Sequence, residues 1–233
     1  MTTKFDPTPF AKRTFLCKSS LLAAISLATL AVARADTTVG VDPGAPWIGF
    51  MNVFNLPADG GAYQFGSAWG TADLRASFGP TALTLSPCTN VWETTDTYWV
   101  KADKVSPNKN MDANMYVQND ALAGQTVTFN GQTIANTLVS PYTSVAFIKD
   151  FVPNYSSSTS VTVPLVGGNA FSLSLATTAG DHIQYGFETI GPDANPSTAA
   201  SLGLAQIEVV PEPSALALLA GAMGLCLLRR QKQ

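Results

Sequence analysis

The sequence predicts an all-β domain, an antiparallel β-sandwich or jelly roll, with a signal helix at its N-terminus and a single transmembrane helix at its C-terminus. Between residues 36 and 209, short runs of alternating apolar and polar residues are separated by clusters of Gly, Pro, Asn and Ser, a pattern typical of strands and turns. No 3.6-residue apolar period is sustained there, and no internal repeat indicates a propeller or a solenoid. Both ends of the chain instead carry uncharged apolar stretches beside basic residues.

The N-terminal segment, residues 1–35, is typical of a secretory signal peptide. Basic residues precede the uncharged run 19–33, and Ala33 and Ala35 supply the small-x-small pattern that signal peptidase accepts. We therefore predict cleavage before Asp36. The domain that remains after cleavage covers residues 36–209.

About a dozen short strands are predicted within that domain. In chain order they cover residues 47–56, 62–69, 73–78, 81–85, 112–118, 125–129, 132–138, 143–151, 160–165, 170–176, 182–190 and 202–209. Asn130-Gly131 lies between two alternating runs and predicts a two-residue hairpin. Gly167-Gly168-Asn169 predicts a second hairpin turn. The polar stretches 86–110 and 155–160 are expected to be loops.

The C-terminal segment, residues 210–233, combines a proline motif, an apolar run and basic residues. Residues 214–228 carry no charge, and as a helix they would rise about 22 Å, less than the roughly 30 Å hydrocarbon core of a membrane. We interpret them as a short transmembrane helix whose basic end stays cytoplasmic. The flanking motif residues are Pro211, Glu212, Pro213, Arg229 and Arg230.

This order of motif, apolar helix and arginine pair resembles the PEP-CTERM sorting signal, and the resemblance covers residues 210–233 only. It implies recognition by exosortase, a membrane transpeptidase-like enzyme of Gram-negative bacteria that secrete exopolysaccharide. The chain would then be exported across the inner membrane, anchored there transiently, and released to the cell surface or the extracellular matrix. The alternative is a plain C-terminal anchor.

The composition of the domain limits its partners. Residues 36–209 hold fourteen acidic and five basic side chains, a formal net charge of −9. Such a surface repels phosphate backbones, so nucleic acid is not expected as a partner. Cys88 is the one cysteine of the domain, which excludes an internal disulfide and predicts a small buried side chain rather than a reactive thiol.

The aromatic residues of the domain suggest a binding site. Trp92, Tyr98 and Trp99 lie in a polar, turn-rich stretch, where exposed rings could stack on sugars. The alternative is that Trp92 and Trp99 cover one end of the core, because large aromatic residues are highly buried on average. Trp47, Trp69 and Phe50 lie among apolar residues in predicted strands. We therefore predict that these three side chains lie in the core and take no part in binding.

Metal binding and catalysis have weaker signals. Calcium is a possible cofactor, with oxygen ligands from Asp112, Asn114 and Asp120. Asp112 and Glu188 illustrate a carboxylate pair of the kind that glycosidases use. His182 is the one histidine of the chain, and its partner in acid-base chemistry would be Asp181 or Glu188. Its strand alternates, with Ile183, Tyr185 and Phe187 on the opposite face, so a solvated His182 is expected.

These patterns together predict an exported, non-catalytic surface or matrix protein associated with exopolysaccharide. Signal peptidase and exosortase would process it, and the membrane would hold it before processing. A carbohydrate-binding module that uses Trp92, Tyr98 and Trp99 is the alternative. A secreted polysaccharide-active hydrolase is less favoured because no G-x-S-x-G, H-E-x-x-H or paired-cysteine motif is present.

Overall fold

The computed structural model describes residues 36–209, and this part of the chain is all-β. Its twelve strands agree with the predicted number, and it contains three short 3-10 helices but no α-helix. The predicted signal segment 1–35 and the tail 210–233, with its predicted helix 214–228, lie outside the described residues. Among residues 36–209, no helix has the length and apolar character needed to cross a membrane.

The strands follow one another with short connections, except for a long loop between the fifth and the sixth. Their bounds are β1 Asp36–Val39, β2 Ile48–Asn55, β3 Tyr63–Trp69, β4 Ala76–Phe78, β5 Ala82–Leu85, β6 Lys109–Gln118, β7 Thr126–Asn136, β8 Thr143–Phe151, β9 Ser158–Pro164, β10 Ala170–Ala176, β11 His182–Pro192 and β12 Ala205–Glu208. The 3-10 helices are Pro57–Asp59, Asp120–Leu122 and Ala199–Leu202.

These strands form two six-stranded sheets. The first sheet has the order β1-β7-β12-β5-β4, and β10 also pairs with β7. The second sheet has the order β3-β2-β6-β11-β8-β9. Neighbouring strands are antiparallel, with one exception: β1 runs parallel to β7.

One buried apolar cluster contains side chains from both sheets. Phe129 of β7 lies 5.3 Å from Tyr185 and 5.4 Å from Phe187 of β11, measured between ring centroids. Phe171 of β10 lies 5.9 Å from Phe187 in an edge-on arrangement. Offset and edge-on rings at these separations are favourable, and each buried ring removes much apolar surface from water. The inner faces of the two sheets therefore share one core.

Side-chain alternation assigns each residue of the central strands to a face. On β11, Ile183, Tyr185 and Phe187 are buried toward the core, as the sequence predicted. On β6 the core face carries Met111, Ala113, Met115 and Val117. Because successive side chains of a strand point to opposite faces, the even-numbered residues of β6 and β11 lie on the outer face of the second sheet.

The predicted hairpin at Asn130-Gly131 is wrong. Strand β7 continues through both residues, and Gly131 pairs with Phe171 of β10. The φ of Gly131 is not positive, as a type I′ turn would require. A Cβ atom at this position would lie 2.7 Å from the Phe171 ring. Glycine thus makes room for a cross-strand aromatic side chain at this point.

The second predicted hairpin is a turn, but it does not join two paired strands. Gly168 has a φ of 80°, and the Asn169 N–H donates to the Val166 carbonyl at 3.0 Å. The preceding strand, β9, belongs to the second sheet, whereas β10 belongs to the first. The turn therefore carries the chain from one sheet to the other.

Further differences concern an additional strand, β1, and the bounds of other strands. Strand β1 was not predicted, because four mostly polar residues give no clear alternation. Strand β6 begins at Lys109 rather than at residue 112, and β9 begins at Ser158, inside the tract expected to be a loop. Cys88 is buried as predicted, and burial raises the pKa of its thiol to about 12.

Candidate functional site

A cavity of about 460 Å³ opens on the outer face of the second sheet. Its walls come from β2, β6, β8 and β11 and from the turn between β8 and β9. Four aromatic residues line it: Phe50, Tyr116, Phe151 and Tyr155. Five polar residues complete the lining: Asn52, Asn114, Gln118, Lys149 and Gln184. The volume lies within the range of small-molecule binding sites in proteins.

The pairing register of the sheet brings these residues together. Asn114 of β6 lies opposite Phe50 of β2. On the other side of β6, Gln118 lies opposite Gln184 of β11, and Gln184 lies opposite Lys149 of β8. Directly paired side chains on one face of an antiparallel sheet are about 5 Å apart. Four strands therefore supply one continuous surface.

A hydrogen-bonded network runs along one side of the cavity. Lys149 Nζ forms an ion pair with Glu188 and donates to Asn114 Oδ1 at 2.8 Å. Asn114 Nδ2 donates to Asp112 Oδ1 at 2.8 Å, and Asn52 Nδ2 donates to Asp112 Oδ2 at 3.2 Å. The Lys149 and Glu188 side chains are only 18% and 13% exposed. Each polar group is thus fixed by a partner.

The electrostatics of this network centre on Asp112. Burial and the negative charge of Glu188 raise the pKa of the Asp112 carboxyl to about 6, while Lys149 and the two amide donors oppose the shift. Asp112 also borders a second, smaller cavity of about 290 Å³, together with Phe54 and Ile190. The two cavities lie on the same face of the sheet, with Asp112 between them.

The other side of the cavity is built from amides and stacked rings. Gln184 Nε2 donates to Gln118 Oε1 at 3.0 Å, and Gln118 Nε2 donates to the Tyr155 hydroxyl at 2.9 Å. The Tyr155 ring stacks on His182 with centroids 4.5 Å apart and planes 7° apart. His182 Nδ1 lies 2.8 Å from Asp120 Oδ2. His182 thus holds the Tyr155 ring, which lines the cavity, in its orientation.

The partner of His182 differs from both predicted partners. Its ring nitrogen bonds to Asp120, which follows the end of β6, and not to Asp181 or Glu188. His182 and Glu188 do lie on the outer face, as the alternation predicted, but both are engaged in side-chain contacts. Neither has the free, opposed arrangement of a general acid and base.

The three residues of the predicted aromatic patch, Trp92, Tyr98 and Trp99, lie in different environments. Trp99 packs against the core and meets Phe65 at 6.1 Å and Tyr98 at 4.8 Å. The Tyr98 ring is 36% exposed and lies 4.3 Å below the Nζ of Lys109. No ring contact within residues 36–209 joins Trp92 to Tyr98 or Trp99. Trp99 therefore packs against the core, as the alternative interpretation predicted, whereas Trp92, which that interpretation also placed there, is not part of the core cluster.

The predicted calcium ligands are not all brought together. Asp112 and Asn114 are neighbours on the outer face, but the Asn114 amide donates to the Asp112 carboxylate. Asp120 lies beyond the end of β6 and bonds to His182. In the described part of the chain, no group of three or more His, Cys, Asp or Glu side chains is placed to hold a metal ion.

The sequence analysis did not identify several of the residues that line the cavity. Phe50 was predicted to be in the core, and this is wrong: it alternates with the buried Met51 and faces the cavity. Trp47, in contrast, packs in the core as predicted, 6.2 Å from Phe187. The alternation of Phe50, Asn52 and Phe54 with buried Met51 and Val53 was the signal that could have placed Phe50 outside.

Comparison with known proteins adds no assignment to this geometry. No protein-family model matches the sequence, and no curated protein matches it either. The outer face of the second sheet, with its aromatic walls and fixed amides, is therefore the basis for assigning a function.

Proposed function

We propose that the chain is an exported, non-catalytic protein of the cell surface or extracellular matrix, and that its β domain binds polysaccharide in the outer-face cavity. The observation that supports this proposal is that four aromatic and five hydrogen-bonding side chains line one cavity of about 460 Å³. Aromatic rings stack on the apolar faces of pyranose rings, and fixed amides bond sugar hydroxyls. Lys149 is neutralised by Glu188, which favours an uncharged glycan.

The proposal includes the architecture and the sorting route. The two sheets, with their shared core, support an antiparallel β-sandwich of the jelly-roll type. The PEP-CTERM resemblance rests on Pro211, Glu212, Pro213, Arg229 and Arg230. Signal peptidase would remove residues 1–35, and exosortase would process the tail. The domain would then meet exopolysaccharide outside the cell.

Affinity electrophoresis of the purified chain in gels containing neutral polysaccharides tests the binding site. We expect Phe50→Ala and Tyr155→Ala each to weaken binding about tenfold, because each removes a stacking ring. Tyr63→Ala is the matched control, since this tyrosine is 58% exposed and lies outside the cavity. Trp92→Ala tests the alternative patch and is expected to bind like the wild type.

Two results would overturn the binding proposal. One is the absence of retardation by every polysaccharide tested. The other is retardation that survives both Phe50→Ala and Tyr155→Ala but is lost in Trp92→Ala. The second result would move the site to the loop between β5 and β6.

Mass spectrometry of the mature protein tests the sorting route. We expect a product that begins at Asp36 and lacks the C-terminal basic residues. Replacing Arg229 and Arg230 with Ala should leave the tail uncleaved and the protein in the membrane fraction. A mature product that begins at Met1 contradicts export, and one that retains Gln233 contradicts sorting.

Asp112 and Glu188 favour a second, catalytic candidate. A carboxyl group with a raised pKa, about 6 for Asp112, near a second carboxyl group is a combination found in glycosidases. In this structure, however, both Asp112 oxygens accept bonds from Asn52 and Asn114, and Glu188 is held by Lys149. We expect no release of reducing ends from any bound polysaccharide. Release that disappears in Asp112→Asn would establish the hydrolase instead.

A further inference from the structure

A buried carboxylate at the end of the second sheet lacks a partner for one of its oxygens. Asp150 of β8 points toward the core side of the sheet and is 5% exposed. Its Oδ2 accepts a bond from the backbone N–H of Thr178 at 2.8 Å. Its Oδ1 is buried and has no hydrogen-bond partner. A buried charged oxygen without a hydrogen-bond donor is costly, so this oxygen is available to act as an acceptor or a ligand.

A second carboxylate lies against the first. Asp181 is in the turn between β10 and β11, and the pairing of His182 with Phe151 places it beside the end of β8. Its backbone N–H donates to the Thr178 carbonyl at 3.3 Å. Desolvation, the negative charge of Asp150 and a hydrogen bond between the two carboxyl groups raise the pKa of Asp181, and His182 opposes the shift. That bond needs a proton on one of the two carboxyl groups. When both are ionised, each only accepts hydrogen bonds, and Asp150 Oδ1 is left without a donor.

No side-chain cation neutralises the pair. The ion pairs among residues 36–209 join Lys101 to Asp59, Lys149 to Glu188 and His182 to Asp120. His182 follows Asp181 directly, but its Nδ1 is engaged by Asp120. Among the described residues, His182 opposes the rise in the Asp181 pKa, but its ion pair is with Asp120, and none of these ion pairs includes Asp150 or Asp181.

We propose that a calcium ion bridges the carboxylates of Asp150 and Asp181. Calcium takes six to eight oxygen ligands in flexible geometry, from carboxylates, backbone carbonyls and water. The unpartnered oxygen of Asp150 and the carboxylate of Asp181 are the side-chain ligands, and carbonyls of the turn and water complete the shell. Magnesium is disfavoured because it needs near-ideal octahedral geometry and loses its water reluctantly. With two carboxylates the expected dissociation constant is on the order of 1 mM, as in extracellular modules.

The proposed ion joins two segments that border the cavity. Asp150 precedes Phe151, a cavity residue, and Asp181 precedes His182, which stacks on the cavity residue Tyr155. Calcium would therefore hold the end of β8 against the turn between β10 and β11. The inference stands whether or not the cavity binds sugar.

Thermal unfolding of the full chain, stripped with EDTA and titrated with CaCl₂, tests the proposal. We expect 10 mM Ca²⁺ to raise the Tm by roughly 3–6 °C through preferential binding to the folded state, and the same concentration of Mg²⁺ to have less than half that effect. Asp150→Asn and Asp181→Asn should each abolish the calcium-dependent rise. Asp59→Asn, an exposed carboxylate between β2 and β3, is the matched control and should keep it.

Two variants, Asp150→Asn and Asp181→Asn, are used so that the test still gives a result if one of them fails to fold. Asn at position 150 keeps the volume and an acceptor for the Thr178 N–H. If it nevertheless fails to fold, Asp181→Asn, in a half-buried turn, gives the result alone. An unchanged wild-type Tm up to 10 mM Ca²⁺ overturns the proposal, as does a calcium-dependent rise that persists in Asp181→Asn. A Tm that responds to pH but not to Ca²⁺ also overturns it and indicates a shared proton instead.

Discussion

At the scale of single residues, Asp193 is the most costly side chain of the domain to keep charged. It follows β11, is 1% exposed, and neither carboxyl oxygen has a hydrogen-bond partner in the structure. Its backbone N–H donates to the Lys109 carbonyl at 3.0 Å, which fixes the residue in place. Burial raises the pKa of its carboxyl to about 7. The folded chain therefore holds this group in its neutral form below that pH.

This makes stability depend on pH. Because the pKa in the folded chain exceeds the unfolded value near 3.8, the folded state binds more protons between the two values, and stability is lost as pH rises from about 4 to 7. Asp193→Asn should remove this loss and raise the free energy of unfolding at pH 8 by about 2–4 kcal/mol. Urea unfolding of the wild type and the variant at pH 5 and pH 8 measures this change in the free energy of unfolding.

The urea measurement must allow for a second carboxyl group and needs a control variant. Asp112 also has a raised pKa, about 6, so the variant should retain some decline between pH 4 and 6. Asp59→Asn is a control with an exposed carboxylate. Equal pH slopes in the wild type and in Asp193→Asn would show that the Asp193 carboxyl is not held neutral.

At the scale of secondary-structure elements, β7 holds the first sheet together. Its first half pairs with β1 and β10, and its second half pairs with β12. Gly131 lies in the middle of the strand, where the Phe171 ring of β10 crosses it. The glycine is thus needed for packing between strands and not for a turn.

Gly131→Ala should therefore destabilise the domain. The added Cβ would lie 2.7 Å from the Phe171 ring, so the ring must move, and such overpacking costs about 1–3 kcal/mol. Gly40→Ala is the matched control, because a Cβ there meets nothing within 4 Å. Chemical denaturation of both variants measures the difference. Equal stability of the two variants would mean that the space beside Phe171 is not limiting.

The same strand shows how far the sequence could predict this fold. Alternation identified most strands and the buried face of β11, because these depend on residues within one strand. It gave no means of telling the continuous β7 from two hairpin strands, since the reason for Gly131 is Phe171, forty residues away in the sequence. Likewise, the cavity depends on the register of four strands. Single strands gave no sign that Phe50, Tyr116 and Gln184 would meet.

At the scale of the whole molecule, charge would limit the glycans that the proposed site accepts. The domain carries a net charge of −9, and the one basic side chain that lines the cavity, Lys149, is paired with Glu188. Anionic polysaccharides would be repelled by the acidic surface. Neutral polysaccharides would be held by stacking and by uncharged hydrogen bonds, which salt does not screen.

Binding of a neutral polysaccharide should therefore change less than about twofold between 50 and 500 mM NaCl, since screening affects charged partners. Isothermal titration with a soluble neutral glycan at both salt concentrations measures it, and an acidic glycan of similar length is the comparison. Tighter binding of the acidic glycan, weakened by salt, would contradict an uncharged ligand and would point to Lys149 as an anion contact.

The position of β12 would have a mechanical consequence if the domain is held at a surface through its tail, as proposed. The strand leads directly into the tail, and it lies between β7 and β5, bonded to a neighbour on each side. A pull transmitted through the C-terminus would run along an interior strand and load both rows of backbone bonds at once, in shear. A tether joined to an edge strand would load only one row of backbone bonds. If the proposed surface attachment is correct, an interior position for the last strand would help the domain to stay folded under load.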